Sequence, residues 1–376
     1  MLIQKRIFYV VNVDWFFISH RIQLALAMKA AGHEVYILTK DTGRRNEIEN
    51  NGLNFINIDF ERSGKNPLKE LSIVYTLIKY YREYKPEIVH HVTIKPAIYG
   101  SIAKRLSGCS DISVINAISG LGYNFIDGRN GVVQRILKRL MYFAFTNVNF
   151  IFQNPDDIQL YEKMGFLAKN KFKLIKGAGV DSEAFPYHLP LNNEKINITL
   201  TARMLYDKGI SEYIEAAELL FEKWNGRAIF ILAGDIDLGN LAGVQELELK
   251  KSMRDGYIEW IGHKKNIIPI LVASDIVCLP SYREGLPKSL IEAMAIGRPI
   301  VSTDVPGCRE CVTDGVNGFL VPVKNAAALA DAIEVLLKDK DLRIKMGVAS
   351  RSKMLNELSL DKVINSTLDF YKEIKS

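Results

Sequence analysis

Two glutamates, Glu284 and Glu292, bracket a short turn in the run DIVCLPSYREGLPKSLIEAMAIGRPIVSTDVPG at 275–307. An apolar strand ends at Pro280, and the loop SYREGL leads to Pro287. That proline suits the first helical position, where its missing N–H is not needed. A helix, SLIEAMAIG, then runs to Gly297. The free backbone amides of residues around 285–289 would point outward at the strand ends. A helix start of this kind attracts phosphate. Glu284 stands just before it and Glu292 one to two turns inside, so both carboxylates border the anion site.

A second pair of charged residues, Arg203 and Lys208, follows another apolar strand in TARMLYDKG (201–209). Their spacing lets both side chains converge on one anion. Fixed cations of this sort stabilise charge that builds on a leaving phosphate. GDIDLG (234–239) offers a different chemistry, because Asp235 and Asp237 form a D-x-D that would suit a hard divalent cation. With Arg203 and Lys208 available a metal is not required, and none is expected. Cys308 and Cys311 form a C-x-x-C, but no second cysteine or histidine pair completes a zinc site.

In the first half, His20, His90 and His91 could contact a substrate. Lys95 follows His91 closely, and Ser119, Gly120 and Gly122 form a small-residue turn able to wrap phosphate with backbone amides. The first strand is followed by VNVDWFFISHR and not by a glycine-rich turn, so no dinucleotide is expected there.

The elements that must position these residues read as alternating apolar strands and amphipathic helices. IFYVV, EVYILT, FINI, EIVHH, ISVINA and NVNFIF are strands of the first half, with helices between. The segment at 176–195 breaks the pattern with two glycines and two prolines and reads as a linker. The alternation then restarts with INITLTA, AIFILAG, YIEWIG, DIVCLPS and PIVST. Such alternation predicts an α/β chain with two doubly wound parallel sheets. In such sheets ligands bind beyond the carboxyl ends of the strands. Two such domains facing a cleft would hold a substrate between them. The expected domains are 1–180 and 195–355. A C-terminal helix at 356–376 is expected to pack back on the first domain.

Composition narrows the class. The 376 residues are 48% hydrophobic and 24% charged, which excludes disordered, collagen-like and coiled-coil chains. No run of about 18 apolar residues suggests a membrane span. Four cysteines are too few for a disulfide framework and fit a reducing cytoplasm. Residues 1–190 carry 25 Lys and Arg against 17 Asp and Glu, and residues 191–376 carry 24 against 26. The basic excess lies wholly in the first half and suggests an anionic partner for it. At 129–145, Arg129, Arg135, Lys138 and Arg139 alternate with Leu, Met, Tyr and Phe. A basic amphipathic helix of this type can lie on an anionic membrane surface.

The segment from Glu284 to Glu292 within EGLPKSLIEAMAIGRPIVSTDVPG resembles the signature of retaining glycosyltransferases of family 4, which have the GT-B fold. TARMLYDKG, the run at 258–281 and GVNGFLVP (315–322) match it as well. IVHHVTIKPAIYG (88–100) and AISGLGYNF (117–125) resemble the bacterial members that extend undecaprenyl-diphosphate-linked sugars. The resemblance implies a UDP-sugar donor, with N-acetylgalactosamine or another hexose or HexNAc as the transferred sugar. It also implies a polyprenyl-diphosphate-linked saccharide as acceptor, no nucleic-acid partner and no cofactor. The enzyme would be peripheral on the cytoplasmic face of the membrane. Arg203 and Lys208 would hold the nucleotide diphosphate, Glu284 the donor-sugar hydroxyls and Glu292 the ribose. Gly234, His263, Gly285, Leu286 and Pro287 would line the donor pocket. His20, His91, Lys95, Ser119, Gly120 and Gly122 would meet the acceptor, with His20 and His91 also candidates for catalysis. Many family members carry a histidine in the loop after the fifth strand. Here that loop has none, which leaves the acceptor-deprotonating group unassigned. A soluble nucleotide-sugar epimerase or hydrolase of the same fold is the alternative function.

Overall fold

The computed structural model describes residues 5–60, 67–119, 132–237, 240 and 242–374. Two compact units divide the chain, Met1–Ala178 with Ile364–Ser376, and Gly179–Val363.

The first unit holds strands β1 (Arg6–Val13), β2 (Glu34–Lys40), β3 (Asn54–Asn57), β4 (Ile88–Val92), β5 (Ser113–Ile118), β6 (Asn149–Phe152) and β7 (Phe172–Leu174). All neighbours pair in parallel, in the order β3-β2-β1-β4-β5-β6-β7. Its helices are α1 (Asp14–His20), α2 (Ile22–Ala30), α3 (Arg45–Asn50), α4 (Pro67–Tyr84), α5 (Ile94–Ser107), α6 (Val132–Ala144) and α7 (Pro155–Lys163). A parallel sheet buried on both faces needs apolar residues at successive positions, not alternate ones. β1 supplies them: Ile7, Phe8, Tyr9, Val10 and Val11 are all fully buried. Phe8, Val10, Leu77, Tyr81, Val89, Phe145, Phe150 and Tyr161 share one core cluster.

The second unit repeats the plan with β8 (Ile196–Thr201), β9 (Ala228–Ala233), β10 (Ile258–Trp260), β11 (Ile276–Leu279), β12 (Ile300–Thr303) and β13 (Gly318–Val321). The order is β10-β9-β8-β11-β12-β13, again parallel. Its helices are α8 (Ile210–Trp224), α9 (Glu246–Lys251), α10 (Ile268–Ala273), α11 (Lys288–Ile296), α12 (Cys308–Cys311), α13 (Ala326–Lys338) and α14 (Lys340–Lys353). One core cluster forms around Ile198, Leu200, Tyr213 and Phe230, and another around Val277, Leu290, Ile291, Met294 and Ile300. In both sheets the strand order reverses beside the first strand of the unit. That reversal point is where open α/β sheets leave a crevice at the carboxyl ends of their strands.

The last helix, α15 (Leu360–Glu373), crosses the division between the units. Its Tyr371 belongs to the first unit. The Tyr371 hydroxyl lies 2.6 Å from His90 Nδ1 and 3.3 Å from the Tyr9 hydroxyl.

Two local features depart from the sequence reading. The segment after β1, read as a loop of bulky residues, forms α1. Asp14 heads that helix and is fully buried. Its carboxylate accepts from Thr42 N (2.6 Å), Thr42 Oγ1 (2.5 Å) and Arg44 N (3.1 Å), which ties α1 to the turn after β2. The segment before the linker also contains the three-residue edge strand β7.

Candidate active site in the second unit

β8 ends at Thr201, and Arg203 follows on the turn. A single 3-10 turn, Tyr206–Lys208, then leads through Gly209 into α8. Gly209 has φ +72°, and a Cβ there would lie 2.1 Å from the Pro280 carbonyl oxygen. Only glycine lets this turn approach the end of β11 so closely. The loop after β11 is then fastened to the same turn. Tyr282 N donates to the Asp207 carbonyl (2.8 Å), Ser281 Oγ does the same (3.0 Å), and Thr303 Oγ1 donates to the Ser281 carbonyl.

This framework brings Lys208 Nζ and a Glu284 carboxylate oxygen together as an ion pair. The two side chains are 20% and 12% exposed. Arg203 Nη1 pairs in turn with Asp237 Oδ2. Each cation at these strand ends therefore carries a carboxylate partner.

α11 starts at Lys288 with Pro287 as its cap residue, and no side chain caps its first amides. The amides of Leu290 and Ile291 turn back to the Pro287 carbonyl. Leu286 is buried. Glu292 sits one turn into the helix, mostly buried, 3.1 Å from Lys288 Nζ. The strand ends and the first turn of α11 thus present a helix start and three paired cations and carboxylates: Arg203–Asp237, Lys208–Glu284 and Lys288–Glu292. Such a group can hold an anion and at the same time accept hydrogen bonds from hydroxyl groups.

Gly234 directly follows β9 with φ +153°, and a Cβ there would lie 1.8 Å from the Ala202 carbonyl oxygen. It lets the two strand ends approach. His263 is exposed, and its backbone amide donates to Asp235 Oδ1 at 3.3 Å. Both carboxylates of the D-x-D are thus turned to protein groups. Cys308 and Cys311 are fully buried on α12. Burial, and next the nearby Glu284 carboxylate, push the Cys308 thiol up to about 12.

The first-unit candidates divide. His91 does not stand at the surface. It is fully buried, with Nε2 2.9 Å from the Tyr81 hydroxyl and Nδ1 2.7 Å from Asn116 Oδ1. Asn116 Nδ2 donates to Ser101 Oγ, so its Oδ1 is left to accept from the histidine. Burial lowers the His91 pKa to about 4. Both nitrogens are engaged inside the core, which leaves neither for an acceptor. His90 is buried on the opposite face of β4, stacked on Tyr9 at 5.2 Å. Lys95, at the start of α5, pairs with Glu70 at 2.6 Å. His20 is half-buried at the end of α1, its ring 4.1 Å from Phe16 and nearly parallel to it. Its Nδ1 lies 2.6 Å from Ser19 Oγ. Ser119 is half-buried after β5, while Gly120, Gly122 and Arg129 lie outside the described residues.

On α6, Met141, Ala144 and the following Phe145 are buried, while Arg135, Lys138 and Arg139 are exposed. Ile136, Leu140, Tyr142 and Phe143 are exposed beside them. α4 carries a second exposed apolar stripe, Leu68, Leu71 and Tyr75, that the sequence reading missed. Among the described residues no helix is long and apolar enough to cross a membrane.

Residues 6–154 match the family model described as "Glycosyl transferase 4-like", and residues 181–353 match "Glycosyl transferases group 1". The chain is a GT-B glycosyltransferase. One relative is the N,N'-diacetylbacillosaminyl-diphospho-undecaprenol alpha-1,3-N-acetylgalactosaminyltransferase of Campylobacter jejuni. It is 28% identical over 341 residues, covering 87% of this chain and 88% of the relative. A second is the UDP-Gal:alpha-D-GlcNAc-diphosphoundecaprenol alpha-1,3-galactosyltransferase of Escherichia coli, 26% identical over 81% of this chain and 80% of the relative. Among solved structures, Anabaena HepE in complex with UDP and glucose superposes with a TM-score of 0.80 at 17% identity. It covers 98% of this chain and 100% of that one. A Rickettsia africae glycosyltransferase gives a TM-score of 0.78 at 20% identity, covering 99% of both chains. At these identities the solved structures speak to the fold alone.

Proposed function

We propose that this glycosyltransferase moves a hexose or N-acetylhexosamine from a UDP-sugar to a polyprenyl-diphosphate-linked saccharide, with retention of anomeric configuration. The observations that carry the donor half are the Lys208–Glu284 pair beside the start of α11, Glu292 one turn inside that helix, and Arg203 on the same strand-end turn as Lys208, paired with Asp237. Support for the acceptor half comes from the undecaprenyl-diphosphate-linked acceptors in the names of two relatives that each match along four fifths or more of their length.

In this reading Arg203, Lys208 and the first amides of α11 hold the donor diphosphate. Breaking the anomeric bond builds negative charge on it, and preorganised donors stabilise that charge without reorganising. Glu284 accepts from donor-sugar hydroxyls and Glu292 from the ribose. The leaving phosphate takes the acceptor proton as the acceptor oxygen attacks from the same face. No metal is used, because the two cations and the helix amides supply the positive charge.

The first unit takes the acceptor, with His20, Lys95, Ser119, Gly120 and Gly122 as its candidate contacts. The enzyme lies on the inner face of the cell membrane, bound through the basic and apolar face of α6.

A donor panel tests this reading. Purified protein is incubated with UDP-hexoses and UDP-N-acetylhexosamines, with and without a polyprenyl-diphosphate sugar. Acceptor-dependent release of UDP and a lengthened lipid-linked saccharide are expected. Free-sugar release or epimerised donor, unaffected by acceptor, would overturn it.

A further inference from the structure

Arg203 leaves β8 on a turn that is hydrogen-bonded to the loop after β9 as though the sheet continued. Met204 N donates to the Asp235 carbonyl (2.9 Å), Tyr206 N to the Ala242 carbonyl (2.9 Å) and Val244 N to the Met204 carbonyl (3.0 Å). Met204 and Ile236 form a parallel bridge. That register continues β8–β9, setting residue 235 opposite residue 203 and residue 237 on the same face one diagonal step on, within reach of the arginine side chain. Gly234 makes this possible, because any side chain there would collide with the Ala202 carbonyl.

The two members of the resulting ion pair differ in exposure. The Asp237 side chain is 12% exposed and the Arg203 side chain 40%. The acid is the more buried half and the cation the more exposed one. An arginine carries about 2 kcal/mol of rotamer entropy, which a ligand must remove when it immobilises the chain. Its guanidinium is a rigid planar fork of five donors. A carboxylate on one arm sets the direction of the whole fork, so part of the ordering is done before any ligand arrives.

We infer that Asp237 is a positioning residue, which holds the Arg203 guanidinium directed at the leaving phosphate of the nucleotide donor. This rests on the reading of the second unit as the donor site. It gives the D-x-D motif a role other than metal ligation. The carboxylate acts through a protein cation.

The test is calorimetric titration with UDP and with UMP, both in chelator, on wild type, Asp237→Ala, Asp237→Asn, Arg203→Ala and the Arg203→Ala/Asp237→Ala double variant. Asp237→Ala is expected to weaken UDP binding about five- to tenfold, the scale of one lost ordering contribution. Asp237→Asn keeps a hydrogen-bond acceptor in place and is expected to lose about two- to threefold. UMP, which lacks the leaving phosphate, should lose less than UDP. In the Arg203→Ala background the second substitution should add nothing.

Unchanged or tighter UDP binding in Asp237→Ala overturns the inference, as do equal losses for UDP and UMP or fully additive losses in the double variant. Magnesium raising UDP affinity in wild type but not in Asp237→Ala would make Asp237 a metal ligand and overturn it too. Should Asp237→Ala not fold, Asp237→Asn carries the same comparisons. If Arg203→Ala itself leaves UDP binding untouched, it is the donor-site reading that fails.

Discussion

Removing one partner of the Lys208–Glu284 pair has a calculable consequence for both stability and turnover. The side chains are 20% and 12% exposed, and the buried Cys308 thiol lies within electrostatic reach of both. A charge-assisted hydrogen bond contributes about 1.5–3 kcal/mol, and an orphaned, largely buried charge costs a similar amount. A fifth of the lysine remains in solvent, so screening holds the figure near the lower end, about 2 kcal/mol. In a cooperative unit of this size that corresponds to a fall of about 4–8 °C in unfolding midpoint. Lys208→Ala should show this fall, because it strands the glutamate. Glu284→Ala should show less, because the lysine left behind can extend into water. The double variant should be no less stable than Lys208→Ala alone. Differential scanning calorimetry of the three variants measures these terms. Lys208→Ala should also lower turnover at saturating donor by about two orders of magnitude. Additive losses in midpoint, or near-normal turnover in Lys208→Ala, would refute the reasoning.

Transfer should survive chelator, as checked by activity in excess EDTA with and without added magnesium or manganese; chelator-abolished activity restored by either ion would count against the metal-independent donor site. Glu284→Ala should lower turnover far more than Glu292→Ala, which should mainly raise the Michaelis constant for donor; steady-state kinetics reversing that order would invert the pocket. Because burial lowers His91 to about 4 from its ordinary 6.5, the unfolded chain binds more protons between these values. Stability contributed by neutral His91 is therefore present above about pH 6.5 and is lost as pH falls to about 4, by about 3 kcal/mol; denaturant midpoints should show a shallower slope over this window in His91→Asn. Changing Arg135, Lys138 and Arg139 to Glu should abolish pelleting with anionic vesicles, since each cation contributes about 1 kcal/mol at such a surface; wild-type pelleting by the triple variant would return α6 to a purely structural role.

The two-sheet plan was legible because strands of a parallel sheet buried on both faces are unbroken apolar runs such as IFYVV and DIVCL. The spacing of Arg203, Lys208, Glu284 and Glu292 was legible for a related reason. Each follows a strand that ends in a recognisable turn, so sequence position already implied a place at the strand ends. What could not be read were contacts made over long sequence separations. Two adjacent histidines in β4 look alike in sequence, but the two-residue period of a strand turns them to opposite faces. His91 finds Tyr81 and Asn116, and His90 finds Tyr371, 281 positions away. α1 was missed because WFFISH has no apolar period long enough to register, and its anchoring carboxylate, Asp14, is bonded to residues about 30 positions on. Asp237 was weighed as half of a metal motif, since only the folded contact between the two loops reveals that it pairs with Arg203.

In the proposed function the second unit delivers a sugar from a nucleotide donor to a lipid-linked acceptor. The measurement that tests it most directly follows radiolabelled sugar from a UDP-sugar into solvent-extractable polyprenyl-diphosphate product. It compares wild type with Arg203→Ala and Glu284→Ala in parallel. One sugar added per acceptor by wild type is expected, with a loss of about a hundredfold or more in Arg203→Ala and Glu284→Ala also strongly impaired. Label that stays with the nucleotide or appears as free sugar, or incorporation that both variants sustain at the wild-type rate, would contradict it.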